Sequence, residues 1–75
     1  MKSALRLTAI IEREDDGFVA LCPELDIASG GASIEEARTN LIEALTLFFE
    51  AASESEIARR VHSEVFVTQV EVPIG

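Results

Sequence analysis

The chain has 75 residues and a formal net charge of −8, because 14 acidic side chains stand against 6 basic ones. This length suits one domain, and the charge argues against direct nucleic-acid binding, which depends on Lys and Arg at the phosphate backbone. The one cysteine excludes an internal disulfide, and the one histidine stands in no Cys/His cluster that would hold a metal. Stability must then come from a well-packed core or from self-association.

The compartment and the class of partner follow from similar considerations. No stretch reaches the roughly 20 apolar residues that a membrane-spanning helix needs, and residues 1–7 meet charges too soon for a signal peptide. The free thiol and the lack of an export signal favour the cytoplasm. The acidic balance suits a basic protein partner. Acidity that serves only solubility is the alternative.

The first half of the chain has the pattern of a small antiparallel sheet. Residues 3–13 largely alternate between apolar and polar, as in a half-buried strand. The polar turn at 14–17 joins this strand to a second one at 18–22, which is apolar on both faces, as a central strand would be. Pro23 ends that strand, and residues 27–29 form a short third strand.

The start of the main helix is the clearest local signal. Gly30 and Gly31 allow the chain to turn from sheet to helix. Ser33 followed by Glu36 is a capping box, in which each residue satisfies a free backbone N–H of the first turn. The helical period places one apolar face towards the sheet, formed by Ile34, Ala37, Leu41, Leu45, Phe48 and Ala52.

One leucine departs from this pattern. Leu47 lies on the polar side of the helix. Two interpretations remain open here: an isolated exposed leucine, which is common, or a contact with a partner or a second subunit.

The last third of the chain is less regular. Residues 53–63 favour a second short helix with Ser53 as its cap and Ile57 and Val61 inside. Its basic residues suit a helix C-terminus, with a small anion or RNA contact as the alternative. Residues 64–72 are β-branched and partly alternating, which predicts a last strand that ends at Pro73.

These elements predict an α+β domain. A three- to four-stranded antiparallel sheet would be covered on one face by the main helix, in the order β-β-β-α-(α)-β, as one domain over residues 1–75. The uncovered face still carries apolar residues. That face or a sheet edge therefore favours a homo-oligomer.

No pattern of a catalytic site is present. The sequence lacks a phosphate-binding loop, a nucleophile elbow and a zinc-protease motif. Acidic clusters can hold metal ions for phosphoryl transfer, but here the helix acids face solvent and the hairpin acids form a turn. We expect no enzymatic activity, no metal and no cofactor, and keep a metal-dependent nuclease only as an alternative to be tested.

The residues also resemble a known family. The stretch IIEREDDGFVALCPELDIASGGASIEEARTNLIEAL, followed by VFVTQVEV, is similar to HicB-type antitoxins over nearly the whole chain. The most specific part is the turn that begins at Pro23 and leads through Gly31 to the helix start at Ser33 and Glu36. We treat these four residues as the structural motif of the resemblance.

The resemblance implies a partial RNase H-like fold without the nuclease acids, and dimers or tetramers. It also implies a partner, a small basic HicA-type toxin that cleaves messenger RNA. Two departures are visible. We expect no C-terminal DNA-binding module and hence no self-repression through DNA, and Ala32 stands where the family usually has an acidic residue.

We therefore expect an antitoxin-like protein that binds and neutralises such a toxin. Charge complementarity would orient the encounter. The expected contact residues are the acidic side chains of the first hairpin and of the turn after the second strand, namely Glu12, Glu14, Asp15, Asp16, Glu24 and Asp26. The alternative is an orphan homo-oligomeric domain that binds another protein or a small ligand and has no toxin.

Overall fold

The computed structural model describes residues 5–62 and 64–75 of the chain. The described part contains three strands and two helices, in the order β1 (Ile10–Glu14), β2 (Gly17–Cys22), β3 (Ile27–Gly31), α1 (Ile34–Ala51) and α2 (Glu54–Arg60). The α+β class predicted from the sequence is confirmed.

The three strands form one antiparallel sheet with β2 in the centre. Asp15, at the tip of the β1–β2 hairpin, has a φ of 53°, in the left-handed region that Asp and Asn tolerate better than most residues. Ile11 pairs with Ala20 across this hairpin, and Ala20 pairs with Ser29 of β3. Because successive residues point to opposite faces, this register turns Ala20 and Cys22 towards one face and Val19 and Leu21 towards the other.

The turn between β2 and β3 closes tightly on the end of β2. The backbone N–H groups of Leu25 and Asp26 both donate to the Cys22 carbonyl oxygen, at 3.3 and 2.8 Å. Asp26 has a φ of 58°, again in the left-handed region. The turn buries Leu25, which is 1% exposed, so the turn itself contributes to the core.

The capping box predicted at the start of the main helix is confirmed. The Glu36 N–H donates to the Ser33 hydroxyl oxygen at 3.0 Å, and the Ala32 N–H donates to the Glu36 carboxylate. Gly31, the last residue of β3, lies against this first turn. A β-carbon at Gly31 would lie 2.5 Å from the Ala37 nitrogen, so only glycine allows the helix to start this close to the sheet.

The second helix follows the first after a short break and is also capped as predicted. The Ser53 hydroxyl oxygen accepts from the Glu56 N–H at 3.2 Å. Val61, just after α2, is half-buried and packs against the core. The next residue, His62, donates its backbone N–H to the Glu24 carbonyl oxygen at 2.7 Å, which fixes the end of this region beside the β2–β3 turn.

The core is small and lies between the sheet and α1. Its fully buried members come from β2, the following turn and the first half of the helix: Ala20, Cys22, Leu25, Ala37 and Leu41. The helix lies mainly over β3 and β2 and only touches β1. This displacement leaves the β1 side of the helix open.

Two strand predictions need correction. The first strand is shorter than the predicted 3–13, because the ladder with β2 begins only at Ile10; residues 3 and 4 lie outside the described residues. The predicted last strand at 64–72 is wrong for the single chain, because these residues pair with no other part of the chain that the structure describes. Alternation shows which residues can form a strand, but a strand forms only where a free edge is in reach.

Candidate functional site

The acidic residues of the first hairpin form one exposed end of the sheet. Glu12, Glu14, Asp15 and Asp16 are all exposed. At the same end, β3 ends at Gly31, which lies next to Gly17 at the start of β2. A β-carbon placed on Gly17 would lie 2.8 Å from the Gly31 carbonyl oxygen. Because α1 starts three residues later, the helix N-terminus lies at the end of the sheet that carries the hairpin.

The fold therefore brings two carboxylates of the helix to the same end of the sheet as the hairpin acids, which the sequence did not predict. Glu35 and Glu36 are in the first turn of α1 and are exposed. We call this set the acidic end; its members are Glu12, Glu14, Asp15, Asp16, Glu35 and Glu36. Arg13 is the basic residue within it, and its guanidinium lies 4.6 Å from the centre of the Phe18 ring. The acidic end thus carries six exposed carboxylates beside one arginine.

Glu24 is set apart from the other expected contact residues, because it lies inside the protein. Its side chain is 8% exposed. The Thr8 hydroxyl donates to the carboxylate at 2.7 Å, the Thr8 backbone N–H donates at 3.0 and 3.1 Å, and the Cys22 thiol donates at 3.4 Å. These bonds join the segment before β1 to the turn after β2, 16 residues away. The geometry assigns Glu24 an internal, fold-holding role.

The environment changes the acidity of both buried groups. Burial alone would raise the pKa of the Glu24 carboxyl, but the hydrogen bonds from Thr8 favour the ionised form and hold its pKa below the ordinary value. Burial, together with the neighbouring Glu24, raises the pKa of the Cys22 thiol. Cys22 is 0% exposed, so it is a neutral buried thiol.

Asp26 is exposed, but it lies at the opposite end of β2 from the acidic end. β2 has six residues, and five steps along a strand cover roughly 17 Å. The structure therefore separates the six expected contact residues into three groups. Four lie at the acidic end, Glu24 is interior, and Asp26 is at the far end of the sheet.

The basic residues of α2 have structural partners. Arg60 donates to the Leu25 carbonyl oxygen at 3.2 Å, and its guanidinium lies 4.8 Å from the centre of the Phe48 ring. Arg59 donates to the Ser55 carbonyl oxygen within the helix. Arg60 thus holds α2 against the β2–β3 turn. Both arginines lie in the last turn of α2, where the sequence placed them.

An open groove lies on the β1 side of α1. It has a volume of about 470 Å³ and runs between residues 5–9 and one flank of the helix. The helix residues that line it are mostly apolar: Arg38, Leu41, Ile42, Leu45, Thr46 and Phe49. Arg6 lines the opposite side, so each side of the groove carries one arginine. Sequence periodicity indicated the apolar helix face but not which part of it would remain uncovered.

Residues 64–75 form a second apolar surface. Phe66, Val70 and Ile74 are 86, 79 and 92% exposed. Large apolar side chains in a row are rarely left in water without a partner. The groove and this segment are therefore both candidate interaction surfaces.

Two further properties concern only the described part of the chain. Within residues 5–62 and 64–75, no group of three or more His, Cys, Asp or Glu side chains is placed to hold a metal ion. Over the same ranges, no helix has both the length and the apolar character needed to cross a bilayer.

The fold and these surfaces define a small α+β domain with an acidic end, a buried carboxylate and an open groove. The chain is 41% identical over 69 residues to the UPF0150 protein ssl0738 of Synechocystis, a match that covers 89% of this chain and 94% of that protein. The chain therefore belongs to the UPF0150 family. No family model matches the sequence, and no solved structure matches it significantly.

Proposed function

We propose that this protein is a non-enzymatic, antitoxin-like module that binds a small basic protein and masks its RNA-binding surface. The observation that carries the proposal is the acidic end. Its exposed carboxylates come from the first hairpin and from the start of α1, and both lie at one end of the sheet. An RNA-cleaving protein needs a cationic surface for its substrate, and a group of carboxylates competes for that surface directly.

The resemblance to HicB-type antitoxins supports the same proposal from a different direction. It rests on the turn from Pro23 and on the cap formed by Ser33 and Glu36, and that cap is present in the structure. The partner implied is a HicA-type toxin. The proposed contact surface is the acidic end, with Glu24 left out because it is buried and with Asp26 left out because it lies at the opposite end of the sheet.

A charge-neutralising variant tests this surface. Replacing Glu14 with Gln and Asp15 and Asp16 with Asn removes three charges from the acidic end. A matched control replaces the exposed Glu43, Glu50 and Glu54 with Gln. Both variants change the net charge by three, from −8 to −5, so they differ only in where the charge is lost.

The tagged proteins are used to capture partners from a lysate of the source organism at low ionic strength, and the eluates are resolved for small basic proteins. We expect the wild type and the control variant to retain a stoichiometric basic protein that elutes as salt rises. The acidic-end variant should retain at least tenfold less. Equal retention by both variants, or no basic partner with the wild type, would overturn the proposal.

A second function has its own supporting observation. The open groove of about 470 Å³ and the exposed apolar segment suit an orphan homo-oligomeric domain that binds another protein or a small ligand. A wild-type protein that captures no basic partner but forms a defined oligomer would favour this function instead.

A further inference from the structure

The segment after α2 has the pattern of a strand without a partner. The even-numbered residues Phe66, Val70, Val72 and Ile74 are apolar, and they would share one face of an extended chain. Their side chains are 86, 79, 68 and 92% exposed. Val, Ile and Phe are typical strand residues, so the segment is suited to pairing with a free sheet edge.

The body of the protein has such an edge beside the groove. β1 is an outer strand of the sheet, and among residues 5–62 and 64–75 nothing pairs with its side away from β2. The helix lies mainly over β2 and β3, and the groove lies between its open flank and residues 5–9, which lead into β1. Ile42, on that flank of the helix, is 48% exposed, and Leu45 and Phe49 line the groove beside it. One more strand next to β1 would cover these side chains.

The segment is long enough to run the whole length of the groove, whose helix side extends from Arg38 to Phe49. Residues 64–72 would span about 30 Å as an extended strand. The 18 residues of α1 span about 27 Å. A strand of this length therefore reaches along the full flank of the helix.

The charges are also complementary. The groove is bordered by Arg6 and Arg38, two of only 6 basic residues in the chain. The segment carries the acidic residues Glu64 and Glu71. The complementarity is confined to the groove, because β1 itself carries the exposed Glu12 and Glu14.

We propose that residues 64–74 of a second copy occupy this groove, pairing with the free edge of β1 and covering the exposed flank of α1. The exchange is reciprocal, so that each copy contributes one strand and one groove in a two-fold symmetric dimer. Residues 61 and 62 are held against their own body by the Val61 side chain and the His62 N–H, which fixes where each strand leaves. A 75-residue chain whose described part has a core of five buried residues gains from the added apolar burial.

Two pairs of matched variants test the interface. Val70→Asp puts a charge on the apolar face of the segment, whereas Val67→Asp makes the same change on its opposite face. Ile42→Asp places a charge in the groove, whereas Leu47→Asp places one on the exposed side of the same helix. All four residues are between 48 and 79% exposed in the single chain, so these changes leave the monomer's core intact.

The measurement is sedimentation equilibrium of the full chain over a range of concentrations, with circular dichroism to verify folding. We expect a wild-type dimer whose dissociation constant rises at least about tenfold with Val70→Asp and with Ile42→Asp, since each places a carboxylate in an apolar contact. Val67→Asp and Leu47→Asp should stay close to the wild type. Amide exchange should show protection of residues 64–72 only in the dimer.

Three results would overturn the inference. A wild-type monomer with residues 64–72 protected from exchange would mean that the segment fills the groove of its own chain. A monomer with an unprotected segment would mean that the groove has another occupant. A dimer that survives Val70→Asp and Ile42→Asp would place the interface elsewhere. The inference is independent of the proposed function, because these measurements involve no other protein.

Discussion

The buried carboxylate of Glu24 offers a quantitative test of how the fold is held together. Replacing Glu24 with Gln keeps the size of the side chain and removes its charge. Of the donors that now meet the carboxylate, the Thr8 hydroxyl at 2.7 Å and the Thr8 N–H at 3.0 Å are the shortest. Both end on the same carboxylate oxygen, so the amide oxygen of Gln can still accept both, but only as neutral bonds. The amide nitrogen of Gln would then face the Thr8 N–H and the Cys22 thiol, which meet the other oxygen at 3.1 and 3.4 Å.

The magnitude follows from the kinds of hydrogen bond involved. Hydrogen bonds to a charged group contribute about 1.5–3 kcal/mol, and neutral ones contribute about 1 kcal/mol. Weakening both bonds to Thr8 from charged to neutral should therefore cost about 2 kcal/mol in total. In a domain of this size, each kcal/mol shifts Tm by about 4–8 °C, so the variant should melt about 8–16 °C lower.

The effect depends on pH in a defined direction. Because the folded-state pKa of Glu24 is lowered, its stabilising contribution is fully present above the unfolded pKa, near the ordinary value of 4.5. It is lost as the pH falls through the lower folded-state value. The difference in stability between the wild type and Glu24→Gln should therefore be constant from pH 6 to 8 and should shrink below about pH 4.5.

The assay is guanidinium unfolding followed by circular dichroism, at one protein concentration and several pH values. The control is Asp26→Asn, because Asp26 is an exposed carboxylate two residues away and Asn tolerates its positive φ. The control should change the free energy of unfolding by less than about 0.5 kcal/mol. If Glu24→Gln is as stable as the wild type at pH 7, the reasoning about this buried carboxylate is refuted.

Two further predictions concern close packing and thiol chemistry. Gly31→Ala should lower the free energy of unfolding by about 2 kcal/mol or more, because its β-carbon would lie 2.5 Å from the Ala37 nitrogen. Gly30→Ala should change the free energy of unfolding far less, because its β-carbon would come no closer than 3.4 Å to the Phe18 carbonyl oxygen. Both variants are measured by the same chemical denaturation, and equal losses of stability would contradict this explanation. The thiol of Cys22 should resist iodoacetamide at pH 8 in the native protein and react readily in guanidinium, because it is buried and its pKa is raised. Mass spectrometry measures the extent of modification, and rapid modification of the native protein would contradict this burial.

The local signals in the sequence predict much of the fold. The capping box at Ser33 and Glu36, the hairpin turn before Gly17 and the stop at Pro23 each have a short-range physical cause, and all three appear in the structure. Such features depend on residues within a few positions of one another. A single sequence is therefore sufficient to locate them.

The errors arise where the outcome depends on distant parts of the chain. The alternation over residues 64–72 shows strand propensity, but a strand also needs a free edge, and the single chain does not bring the two together. The displacement of α1 towards β3, which opens the groove, is likewise a result of packing. The spacing of apolar residues along the helix does not indicate it.

The candidate site shows the same division. Sequence proximity correctly placed Glu14, Asp15 and Asp16 on one exposed turn. It could not separate Glu24 from Asp26, because both are acidic residues of one turn and only the fold pairs Glu24 with Thr8, 16 residues earlier. Nor could it bring Glu35 to the end of the sheet that carries the hairpin.

The proposed function is tested most directly by inhibition of RNA cleavage. The basic protein that co-purifies with the wild type is separated under denaturing conditions, refolded and assayed on a messenger RNA, with increasing amounts of the wild type, the acidic-end variant or the matched control. We expect the wild type and the control to abolish cleavage near one equivalent, and the acidic-end variant to require at least tenfold more. Cleavage that continues with excess wild type, or equal inhibition by all three proteins, would contradict masking by the acidic end.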